Sequence, residues 1–109
     1  MLENSLWQKY NPIKTIKETL IVIYGCEVSE ITDDERALYA SLKRHFTKKE
    51  FKLFMMAEGG VSDEEIMGEL GLLRENYEKF KYKTYRKLHQ DKIKNEIRID
   101  NSIDDEEIL

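Results

Sequence analysis

The chain has 109 residues, with 18 Lys and Arg against 22 Asp and Glu, 40% hydrophobic residues, five Gly and one Pro. That length holds one small domain, or one domain with tails, and excludes large multidomain enzymes. A lone Cys26 and the separated His45 and His89 build neither an internal disulfide nor a zinc site, and the longest apolar run, residues 20–24, is far below the roughly 20 residues that cross a bilayer.

Scarce Gly and Pro, with apolar residues recurring at three- and four-residue steps, predict an all-α domain. A first helix opens at Pro12 with Asn11 as its cap. It places Ile13, Ile16, Leu20, Ile23 and Tyr24 on one face and ends at Gly25. The β-branched residues 21–23 leave a strand open as the alternative there. Thr32 and Glu35 form a capping box for a second helix from Asp33 to about His45, with Leu38, Leu42 and Tyr39 on its core face. Thr47 and Glu50 repeat the box before Phe51, Leu53, Phe54 and Met55, and Gly59-Gly60 stops that third helix. Ser62 and Glu65 form another capping box and open a short fourth helix with Ile66, Met67 and Leu70 facing inward and Gly71 at its end. The last helix is long, from about Arg74 to at least Ile93, with Tyr77, Phe80, Thr84 or Tyr85, Leu88 and Ile93 at helical spacing. Beyond Arg98 the pattern dissolves into an acidic, mobile tail.

Charge is unevenly spread. Residues 98–109 hold five acids and one base, so residues 1–97 carry 17 of each. Residues 74–94 hold eight bases against three acids, the one clearly basic stretch. A short helix, a tight turn and a longer basic helix make a helix-turn-helix, in which the first helix braces the second against a duplex. Ile66 and Leu70 suit the bracing helix, Gly71 the bend and Leu72 the plug of the turn. Tyr77 and Phe80 suit the underside of the second helix.

These residues resemble a family. From about Phe46 to Lys92 the chain is similar to region 4 of the bacterial sigma-70 factors, the part that reads the −35 promoter element. The strongest blocks are Leu73-Arg74-Glu75-Asn76-Tyr77-Glu78-Lys79-Phe80 and Thr84-Tyr85-Arg86-Lys87-Leu88. Primary sigma factors carry Thr-Arg-Glu-Arg-Ile-Arg-Gln-Ile and Ala-Leu-Arg-Lys-Leu at the same separation, so Arg74, Glu75, Arg86, Lys87 and Leu88 are identities. The resemblance implies a bacterial, DNA-binding transcription protein. It sets Arg74 on a guanine or phosphate and Glu75 on a cytosine amino group, pairings that base-edge chemistry allows. Asn76 joins the DNA-facing set, Lys79 adds a phosphate or base contact, and Lys81, Lys83, Arg86 and Lys87 partly serve phosphates. Leu73, Asn76 and Glu78 depart from the family, which has a Thr cap and two arginines there. Nothing matches the sigma regions that bind core polymerase or melt the −10 element.

The organisation expected is therefore an N-terminal helical segment over residues 1–46, for packing or dimerisation, a sigma-region-4-like helix-turn-helix over 47–97, and an acidic tail over 98–109. Trp7, Tyr10, Ile13, Ile16, Leu20 and Ile23 form a patch that buries against the other half or against a second copy, and a homodimer would suit paired half-sites. The tail is either a solubilising segment or a mimic of DNA that folds back on the basic helix. No paired carboxylates in an apolar setting, glycine-rich phosphate loop or nucleophile–base set is present, so the chain is expected to be no enzyme and to need no cofactor or metal. The expected protein is cytoplasmic, without a membrane partner and with no signal-peptide pattern at residues 1–5. Its expected partner is double-stranded DNA. The alternative is a helical adaptor that docks on RNA polymerase or another regulatory protein.

Overall fold

A computed structural model describes residues 5–99. Seven α-helices and one 3-10 turn follow each other: α1 Ser5–Tyr10, α2 Ile16–Tyr24, the turn Val28–Glu30, α3 Glu35–His45, α4 Lys48–Glu58, α5 Asp63–Leu70, α6 Arg74–Lys87 and α7 Asp91–Ile97. The fold is all-α. Among the described residues there is no strand, only an isolated antiparallel bridge between Ile31 and Arg98. The expected acidic, mobile or DNA-mimicking character of residues 100–109 lies outside the described residues.

Helix α4 organises the packing because it is buried on both sides. Phe51, Phe54 and Met55 enter a first core with Trp7, Ile16, Leu20, Leu38, Leu42, Leu88, Ile93 and Ile97. Leu53 and Met56 enter a second core with Ile66, Leu70 and Tyr77. The second core seats α5 and α6 on α4. Of the apolar patch in residues 7–23, Trp7, Ile16 and Leu20 are buried against the rest of this chain, with the Trp7 ring tilted against Phe54 at a centroid distance of 5.7 Å, whereas Ile13 is 94% exposed.

Several boundaries differ from the sequence expectation. The first predicted helix starts later, at Ile16, because Thr15 and Glu18 form the true capping box: the Thr15 hydroxyl accepts from the Glu18 amide at 3.0 Å and the Glu18 carboxylate from the Thr15 amide at 2.8 Å. Asn11 is no cap. Its side-chain amide is buried and donates to the Trp7 and Met55 carbonyls. The six-residue α1 before it has too few turns to show a periodic stripe. Residues 21–23 are helical, which removes the strand alternative, and Gly25 ends α2 in the left-handed region at φ 63°.

Helix α3 is capped by Asp34, not Thr32; the Asp34 carboxylate accepts from the Arg36 and Ala37 amides. Glu35 is thereby released to a distant task. Its two carboxylate oxygens accept from the Ile16 and Lys17 amides at 2.9 Å each, placing a negative group on the positive end of α2. The Thr47 and Glu50 box of α4 is present as expected, whereas the box expected at α5 is half formed: Ser62 caps the helix by accepting from the Glu65 amide, but the Glu65 carboxylate does not reach back to the Ser62 amide.

The long basic helix is two helices. Helix α6 ends at Lys87, i→i+3 bonds tighten residues 88–90, and α7 restarts at Asp91. At about 100° per residue, a continuous helix would turn Ile93 and Ile97 about 140–180° away from Leu88, into solvent. The break brings all three into the first core, each at most 1% exposed. Tyr24 supports it by donating its hydroxyl to the freed Leu88 carbonyl at 2.6 Å. Glu96 then fastens α7 to α3 through Ser41, Arg44 and His45, and hydrogen bonds from Arg44, Ser41 and His45 pull its carboxyl down to about 2.

One contact fixes α1 on α4. A Cβ on Gly59 would stand 2.3 Å from the Tyr10 carbonyl oxygen, which is backbone and cannot rotate aside. Gly59→Ala is therefore expected to destabilise the domain by about 2 kcal/mol through overpacking. Urea unfolding followed by circular dichroism checks it; an unchanged midpoint would show that α1 is not pressed onto α4.

Candidate nucleic-acid interface

Helix α5, a three-residue turn at Gly71–Leu73 and helix α6 follow one another in the order a helix-turn-helix requires. Gly71 adopts φ 68°, a conformation that costs a side-chain-bearing residue, and lets the chain reverse within Gly71–Leu73. Ile66 and Leu70 are buried at 0% and 5%, and Leu72 and Phe80 pack partly covered beside them. Tyr77 is buried at the centre of the unit, and its hydroxyl donates to Asp63 Oδ1 at 2.6 Å, tying the second helix to the first turn of the bracing helix. Burial together with that carboxylate pushes the Tyr77 phenol well above its ordinary range. The same bond, helped by Lys81, holds the Asp63 carboxyl low.

All eight residues singled out from the sequence lie on α6, but they do not share one face. Glu75, Asn76, Lys79, Lys83 and Arg86 point outward, together with Tyr82, which is 66% exposed. Residues 75, 79, 82 and 86 follow steps of four, three and four, one stripe about 16 Å long. Among the described residues Lys79 and Lys83 have no ion-pair or hydrogen-bond partner, and the Arg86 guanidinium lies 5.8 Å from the Tyr82 ring centroid. Lys83 and Arg86, with Tyr82, Lys87, His89 and Gln90, line an open hollow of about 520 Å³ at the C-terminal end of the stripe.

The other three are engaged elsewhere. Arg74 pairs with Glu64 at 2.9 Å and approaches Glu78 at 3.9 Å. Lys81 reaches Asp63 at 3.4 Å and stands 5.9 Å from the Tyr77 ring. Lys87 turns inward, its ammonium 2.7 Å from Glu50, which is 2% exposed, and 3.3 Å from the His45 carbonyl. Lys87 thus holds α6 against the N-terminus of α4.

Sequence reasoning missed the acids of α5. Asp63 and Glu64 are the first two residues of that helix, where carboxylates complement the helix dipole. Arg74 begins the next helix, and the reversal at Gly71 brings the two starts together. The local signal was present in the acidic first turn, but its partner ten residues on becomes visible only once the turn is folded.

Comparison of the chain with known protein families, with curated proteins and with solved structures finds no significant match. Among the described residues no group of His, Cys, Asp and Glu is arranged to hold a metal ion, and no helix is long and apolar enough to cross a membrane.

Proposed function

We propose that this protein binds duplex DNA through the outward face of α6, as a transcriptional regulator of the sigma-region-4-like type. The observation that carries this reading is the solvent-facing side of α6, where Asn76, Lys79, Lys83 and Arg86 stand exposed beside Glu75 and Tyr82, on the second helix of a left-handed-glycine helix-turn-helix. A major groove about 12 Å wide admits such a helix, and these side chains suit phosphate contacts and, for Asn76, an adenine edge. The charge is centred toward the C-terminal half of α6, because Arg74 is held by Glu64 at the other end. In this reading Lys79, Lys83 and Arg86 supply most of the phosphate contacts, and three such contacts correspond to a salt slope of roughly −3.

The test is binding to a 30-base-pair duplex at two salt concentrations, the length chosen as about three turns of DNA. Lys83→Glu with Arg86→Glu is expected to weaken binding about 100-fold with an unchanged melting profile, since both side chains are exposed. Glu64→Gln frees Arg74 and is expected to tighten binding several-fold, an effect that no purely structural role of Glu64 would produce. Absence of binding at low salt would sink the reading.

That negative result would favour a second one, a helical adaptor docking on RNA polymerase or another regulator. Asp63, Glu64 and Glu65 lie in the first turn of α5, and Arg74 bridges Glu64 to Glu78, so acids outnumber bases on a surface that repels phosphate and suits a basic protein partner.

A further inference from the structure

A second surface lies where α1, α3 and α4 meet, and no residue of α5 or α6 lines it. It is a groove of about 640 Å³ with a floor of Tyr39, Phe46, Phe51 and Met55 and an apolar wall at Leu6, itself 40% exposed. Its rim carries Lys9, Lys43, Lys48 and Lys52, and no carboxylate belongs to its lining. Lys52 is offset by Glu69 at 2.9 Å, and Lys9 stands 5.5 Å from the Tyr10 ring. Lys43 and Lys48 have no ion-pair partner among the described residues. A concentrated positive rim is unexpected on a chain of net charge −4.

Folding does not account for Lys48. It is the first residue of α4, where the helix dipole disfavours a cation and acids are preferred, so its position costs stability and gains no contact. An apolar wall of Leu6 and Tyr10 inside a ring of lysines is complementary to an acidic segment that also carries apolar side chains. Such a segment gains burial against the exposed Leu6 and the half-buried Tyr10 and charge pairing on the rim, as in recognition of an amphipathic helix by a groove. Nucleic acid fits less well. Tyr39, Phe46 and Phe51 are each only 6% exposed, too covered to offer a ring face for base stacking, and a phosphate backbone gains nothing from the Leu6 wall.

We infer that this groove docks an acidic, apolar-studded peptide segment of a protein partner, independently of the α6 face. The probe is a fluorescein-labelled synthetic amphipathic peptide with Asp and Glu on one face and Leu and Phe on the other, titrated with the full chain and read by anisotropy. The expected result is micromolar binding that falls at least tenfold in Lys43→Glu with Lys48→Glu, both free of partners and on the surface. Replacing Leu and Phe of the peptide by Ser should abolish binding, and Lys83→Glu with Arg86→Glu should leave it unchanged, so the groove and the DNA reading stand or fall separately. The inference is overturned by absence of binding, by binding that survives the Lys43 and Lys48 reversals, or by equal binding of the Ser-substituted peptide. It is also overturned if neutralising Asp104, Asp105, Glu106 and Glu107 to amides tightens peptide binding tenfold, because the chain's own acidic run would then be the occupant.

Discussion

Phe54→Ala is expected to lower stability by about 4 kcal/mol. Phe54 is fully buried at the meeting point of both ends of the chain, with ring centroids 5.7 Å from Trp7, 5.9 Å from Phe46 and 5.6 Å from Tyr85. Removing its ring leaves a void that α1, α4 and α6 cannot all close onto, because Trp7 is anchored by its indole hydrogen bond to the Lys14 carbonyl and Tyr85 by its hydroxyl on Glu58. Against a total stability of roughly 5–15 kcal/mol this is a large fraction, and for a domain of this size it corresponds to a fall in Tm on the order of 20 °C. Trp7 is the sole tryptophan, so its emission reports the unfolding directly. Phe54→Leu, which keeps most of the volume, should cost only about 1 kcal/mol. Equal losses for the two variants would show that the aromatic cluster is not close-packed.

Lys87→Met is expected to cost about 3 kcal/mol at neutral pH, for an electrostatic reason. It leaves the Glu50 carboxylate buried with only the Thr47 amide and hydroxyl near it. In the native protein burial pushes the Glu50 carboxyl upward, but the hydrogen bonds from Lys87 and Thr47 and the Lys87 charge outweigh it, so its pKa lies below the ordinary value of 4.5. A carboxyl depressed on folding contributes stability that is present above the ordinary value and is lost as pH falls through the lowered one. Without Lys87 only the Thr47 hydrogen bonds oppose burial, so the pKa rises and the stability that Glu50 contributes above 4.5 shrinks. The gap between native protein and variant should therefore be widest at pH 7 and shrink as the pH drops below about 5. Denaturant titrations across that range check it, and a pH-independent gap would show that Lys87 acts only through its aliphatic stem. Glu50→Leu combined with Lys87→Met should recover most of the loss, since burying neither charge removes the penalty. Below its melting temperature Lys87→Met should keep duplex affinity within about twofold, whereas a phosphate-contacting lysine would lower it by several-fold.

Inward placement of Lys87 shows what sequence alone could and could not say about the candidate site. Arg86 and Lys87 are adjacent and chemically alike, and both were matched to the sigma-region-4 pattern. They lie about 100° apart on the helix, so one faces solvent and the other meets a carboxylate 37 residues earlier in the chain. The same holds for Arg74 and Lys79. Only the fold of the α5–α6 turn decides that Arg74 has a carboxylate within reach while Lys79 has none among the described residues.

Features that depend on a few neighbouring residues were legible in the sequence: the all-α class, the Thr47 and Glu50 box, the Ser62 cap, the left-handed glycines at 25 and 71, and the inward Ile66, Leu70 and Tyr77. Their causes act over one or two turns of helix, so the order of residues suffices. Tertiary structure alone decided the exchange of caps by which Glu35 serves α2, the break at residues 88–90 that redirects Ile93 and Ile97, and the Glu50–Lys87 pair. It also decided which bases face solvent and which lysines ring an apolar groove. Each of these joins residues far apart in the chain, where burial and charge pairing outweigh local preference.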